Sequence, residues 1–191
     1  MRIAAAIAVL LCLATAAAAE PAWHVYSDAK RNLSIAYPDG WTVDPNFRDK
    51  GYGFFQGDTD DYRDGVALKP TADLAPGTNL ESDQIVLAVE TARPADRCEA
   101  KAFLVDPPPD YFTDVPVDKP EVVRTVANAG DLYTIEHIVL IGVRQPCIAA
   151  HYILVYGQRH GADAPPAFDR AAVLGLLNKI ASTIKPLPPS P

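Results

Sequence analysis

Residues 56–65 read QGDTDDYRDG, so Asp58, Asp60, Asp61 and Asp64 place four carboxylates within seven residues, flanked by Gly57 and Gly65. Calcium-type cations are held by shells of hard oxygen ligands at alternate loop positions, so the stretch is a candidate cation site. An EF-hand loop counted from Asp58 would need an oxygen ligand at its fifth position, glycine at its sixth and glutamate at its twelfth. Tyr62, Arg63 and Lys69 stand there instead, which excludes that motif. A looser divalent-cation site on Asp58, Asp60 and Asp64, completed by backbone carbonyls, stays open. Against it, Arg63 sits among the carboxylates and partly neutralises them. Asp and Gly are also ordinary turn residues, so a solvated loop without cofactor is the competing expectation.

His137 and His151 fall on the two arms of an expected hairpin, with Glu136 beside the first. If paired residue numbers sum to 288 the two imidazoles face each other; if they sum to 289, His137 faces Tyr152. In the first case two histidines and a carboxylate could ligate a metal; in the second each bonds to its neighbours. The register does not follow from the residues. For acyl chemistry there is no Gly-x-Ser-x-Gly elbow, and the serines outside the signal are few (Ser27, Ser34, Ser82, Ser182 and Ser190). Walker loop, dinucleotide fingerprint and H-E-x-x-H are missing as well. A hydrolase whose site assembles from distant residues is left as an alternative.

Trp41, Tyr52, Phe54, Phe55 and Tyr62 cluster in sequence around the acidic stretch, and PGTNL follows at 76–80. Most of these aromatics suit a core. An exposed subset (Trp41, Tyr52 and Tyr62, with Arg63, Thr78 and Asn79) would make a rim for a protein or glycan partner, since aromatic residues beside polar ones recur at interfaces.

The elements that must position these groups begin with an export signal. Met1-Arg2-Ile3 opens a run that carries no charge from Ile3 to Ala19 and ends Ala17-Ala18-Ala19 before Glu20-Pro21. A basic start, an apolar middle and an A-x-A end predict a secretory signal peptide over 1–19. The run is Ala-rich and shorter than the roughly 20 strongly apolar residues of a spanning helix. No later run reaches that length, so no membrane span is expected after cleavage, and the localisation is periplasmic or secreted. Residues 20–191 carry 16 basic against 24 acidic side chains, net −8, with no basic cluster to attract a phosphate backbone. Such a chain repels a phosphate backbone, so no nucleic-acid partner is expected. Cys98 and Cys147 are the cysteines outside the signal. In an oxidising compartment two cysteines most simply pair, closing a loop of about 50 residues for roughly 3–4.5 kcal/mol.

Strands follow from period-2 alternation. Leu33, Ile35 and Tyr37 alternate with Asn32, Ser34 and Ala36; Pro38-Asp39-Gly40 turns the chain and Trp41-Thr42-Val43 resumes it. The sequon Asn32-Leu33-Ser34 lies in this alternation and reads as chance. Further strands are predicted at 65–70, 85–92 and 122–127. Leu132–Gly142 and Cys147–Gly157 are long apolar runs across Val143-Arg144-Gln145-Pro146, an antiparallel hairpin whose two faces must both be covered. One or two helical turns are expected over 96–104, and an irregular, proline-rich connection over 105–120. Val173, Leu177, Ile180 and Ile184, widened by Leu176, mark an amphipathic helix over 168–184, which Lys185-Pro186 stops. One globular domain over 20–185, with a proline-rich tail over 186–191, accounts for the chain.

The stretch LSIAYPDGWTV (33–43) resembles the opening of PsbP-like domains, in which a strand bearing a Tyr-Pro pair turns into a second strand. FDRAAVLGLLNKIAST (168–183) is similar to their closing helix. GTNL (77–80), a cysteine ahead of AFL (98–104) and a second cysteine in the penultimate strand, the position of Cys147, resemble a group of exported bacterial members. The resemblance implies an α/β/α sandwich around a mostly antiparallel sheet of six or seven strands. It implies no reaction, because a fold alone does not carry one; accessory and adaptor roles recur in the family. The expectation is therefore an exported non-enzymatic accessory protein of the cell envelope, binding a protein or envelope component through residues 41–65 and 77–80.

Overall fold

The structure, a computed structural model, describes residues 21–49, 63–82, 85–93, 98–100, 121–127, 131–142, 147–158 and 161–187. Its elements in chain order are β1 (Trp23–Asp28), β2 (Leu33–Pro38), β3 (Trp41–Asp49), β4 (Arg63–Pro70), β5 (Val86–Arg93), β6 (Glu121–Ala127), β7 (Leu132–Gly142), β8 (Cys147–Gly157), α1 (Arg170–Ala181) and β9 (Lys185–Pro186). Every pairing is antiparallel, as expected. The single sheet is corrected to two: a three-stranded sheet β1-β2-β9 and a six-stranded sheet β3-β4-β5-β8-β7-β6.

The division falls at the Pro38-Asp39-Gly40 turn. Gly40 has φ +79°, the left-handed region that glycine enters without a Cβ penalty. Its carbonyl accepts from both the amide (2.7 Å) and the hydroxyl (2.8 Å) of Thr71, while the Asp39 amide donates to Ala22 (2.8 Å). The turn is thus tied to β1 on one side and to the end of β4 on the other. β2 and β3 do not pair with each other and enter different sheets. Pro45, which lacks an N–H, falls where β3 shifts register between Asp44 and Phe47. There the Asp44 carboxylate accepts from the Asn46 amide instead (3.0 Å).

α1 is capped at its start by Asp169, whose side chain accepts from the Ala172 amide (3.0 Å), and at its end by Ser182. It is shorter than the predicted 168–184, yet the predicted stripe is right in its burial: Val173, Leu177, Ile180 and Ile184 are buried and Leu176 is half-buried. Thr183 closes the helix onto the small sheet, accepting from the Ala36 amide (2.8 Å) beside the Ala36 carbonyl (3.0 Å). Lys185 and Pro186 pair with Ser34 and Leu33, and the Leu187 amide reaches the Asn32 carbonyl, so the chain is still held there.

The main core lies between α1 with the small sheet and one face of the large sheet. Leu33 and Ile35 of β2 and Val173, Leu177 and Ile180 of α1 share it with Leu68, Leu87, Val89, Ile135, Ala150, Tyr152 and Leu154. Alternation sends the intervening side chains to the other face. Phe47, Ala67, Val86, Ala88 and Ile153 form one buried cluster there, and Ile138, Cys147 and Ala149 form another with Ala100. Both faces of the β7–β8 hairpin are therefore covered, which is what two nearly continuous apolar runs require. The Cys98–Cys147 disulfide joins the residues after β5 to the first residue of β8, across a sequence separation of 49. Among the described residues no helix is long and apolar enough to cross a membrane. The predicted signal peptide, most of the 96–104 turns and the 105–120 connection lie outside the described residues.

Candidate functional site

The GTNL segment is held at the end of the large sheet by Asn79. Its Nδ2 donates to the Gly157 carbonyl (2.6 Å) and its Oδ1 accepts from the Phe168 amide (2.9 Å). Its backbone bonds to Pro166 (3.0 Å) and Gly157 (2.8 Å), Glu81 bonds to Val155 (2.9 Å), and Leu80 bridges Tyr156. A short strand-like piece thus extends the β5 side of β8 and reaches across to the residues before α1. Gly77 supplies the positive φ (+74°) that the preceding turn needs, and the Thr78 hydroxyl donates to Ala75 (2.7 Å). Thr78 and Asn79, expected at the contact surface, are half-buried and use their side chains to hold the loop.

What the clip supports is a row of rings. Tyr133 of β7 stacks on Tyr156 of β8 at 5.6 Å between centroids, and Tyr156 meets Phe168 at 5.8 Å. All three are half-buried. Offset stacks at these distances are favourable, and a ring fixed by its neighbours loses little entropy when something binds to it. Neither tyrosine was singled out from the sequence. The available signal was positional: the two stand at mirror positions of the hairpin arms.

Trp41, expected at the contact surface, is 9% exposed and belongs to the main core beside Val43 and Leu68. Tyr52, Asp58, Asp60 and Tyr62 lie outside the described residues. Arg63 and Asp64, read as the end of the acidic loop, are instead the first residues of β4, paired with Asp49 and Arg48. No group of three or more potential metal ligands occurs among the described residues.

The hairpin register sums to 289: His137 pairs with Tyr152, and His151 with Ile138. The two histidines therefore point to opposite faces and cannot share a ligand. On the α1 side, the His137 Nε2 lies 2.5 Å from Glu121 of β6, and its ring meets Tyr152 edge-on at 5.0 Å. The Tyr152 hydroxyl donates to Asn178 of α1 (2.8 Å). Burial, and then the Glu121 charge, push the Tyr152 phenol far above its ordinary value, so it acts as a hydrogen-bond donor and not as a base. On the other face, the His151 Nε2 lies 3.3 Å from Glu136, both side chains being buried. His24 pairs with Asp39 at the surface. Each described histidine thus lies beside a carboxylate from another part of the fold, although the His137 Nδ1 is buried without a hydrogen-bond partner. Glu121 as partner of His137 had no sequence signal, because it depends on the β6–β7 register.

No protein-family model matches the chain, and no curated protein matches it. Among solved structures it is similar to the solution structure of cyanobacterial PsbP from Synechocystis sp. PCC 6803, at 16% identity and a TM-score of 0.33, over 90% of this chain and 95% of that one. At that score the likeness carries no argument about what this chain does; the architecture rests on the strands, register and helix described above.

Proposed function

We propose that this chain is an exported, non-enzymatic accessory protein that binds a protein or another component of the cell envelope. Its fold is assigned to the PsbP-like group on the Tyr-Pro strand–turn–strand at 33–43 and the closing helix. The observation that carries the binding reading is the half-buried row Tyr133–Tyr156–Phe168, built on the Asn79 clip. Aromatic side chains held rigid at a surface are the commonest anchors of an interface. Export is supported by residues 1–19 and by the Cys98–Cys147 disulfide, which belongs to an oxidising compartment. The contact surface moves from Trp41, which is interior, to the ring row next to residues 77–80.

A photoreactive phenylalanine analogue placed at Tyr133 tests this in the native envelope, with the same analogue at Val25 as control. Val25 is 69% exposed and lies on β1, in the other sheet. A discrete adduct from position 133 that is missing from position 25 supports the surface. Equal labelling from both positions, or none from 133, overturns it.

A further inference from the structure

We draw no further inference here: the strongest candidate, the half-buried aromatic row Tyr133–Tyr156–Phe168 at the end of the β7–β8 hairpin beside the start of α1, belongs to the surface already proposed, and nothing in the structure shows what covers it.

Discussion

Replacing Asn79 is the sharpest test of how the end of the sheet is held. Its amide is oriented without ambiguity, because Gly157 offers an acceptor and Phe168 a donor, so Nδ2 must face the first and Oδ1 the second. Asn79→Ala removes both bonds and leaves the Gly157 carbonyl and Phe168 amide without that partner. Two neutral bonds at about 0.5–1.5 kcal/mol each give a loss of about 1–3 kcal/mol. For a domain of this size that lowers Tm by roughly 3–10 °C. Asn79→Asp should be worse near neutral pH. The carboxylate still accepts from Phe168, but it turns a second oxygen toward the Gly157 carbonyl where the amide donor had stood.

That second variant also predicts a pH signature. A carboxyl facing an acceptor holds its proton more tightly when folded, so its folded-state pKa lies above the unfolded value near ~3.9. The extra destabilisation is then missing below the unfolded value and grows as pH rises through the folded one. The gap between Asn79→Asp and the unmodified protein should shrink from neutral pH toward about pH 4. Urea unfolding of the disulfide-intact protein, followed by the fluorescence of Trp23 and Trp41, measures each gap at unchanged m. An Asn79→Ala variant within about 0.3 kcal/mol of the unmodified protein would refute the reasoning, being far below the value of two bonds. So would an Asn79→Asp variant of full stability at neutral pH.

Three further expectations follow the same logic. Reducing Cys98–Cys147, at a separation of 49, should cost about 4 kcal/mol of unfolding free energy in urea with a non-thiol reductant; a change below ~1 kcal/mol would show that the crosslink constrains little. Asp28 is buried, which raises its pKa, but hydrogen bonds from the Arg31 side chain (2.5 Å) and backbone (3.1 Å), with the Arg31 charge, outweigh this and lower it overall. Its stabilisation is therefore fully present above the unfolded value near ~4 and is lost as pH falls through the folded one. Asp28→Asn should be the less stable protein near neutral pH, and urea midpoints should converge in acid; an equal gap at both would contradict the shift. Calcium, magnesium, manganese and zinc should leave the Tm of the protein unchanged. A rise of roughly 5–10 °C at a hundredfold excess over Kd, lost in Asp58→Ala or Asp60→Ala, would instead make residues 58–64 a cation site.

Elements that depend on local pattern were legible in the residues. The alternation at 33–37, the β-branched run of β5, the two apolar arms of the hairpin and the stripe Val173-Leu177-Ile180 each follow from a period the backbone imposes. The pairing of Cys98 with Cys147 followed from arithmetic. Beyond that pairing and the hairpin partnership of its two arms, what depends on one segment finding another was not legible. That β2 and β3 enter different sheets goes with contacts such as Gly40 to Thr71, between positions 31 residues apart, which local pattern does not show. The register that separates His137 from His151 was decided by the packing of two faces that are both apolar, where a one-residue slip exchanges the buried sets without changing their hydrophobicity. Asn79 read as a loop amide open to a partner, because hydrogen-bonding capacity is visible in a residue and its satisfaction is not. Composition and periodicity set which segments become strands and helix; only the tertiary structure chose their neighbours, and with them the rings left at the surface.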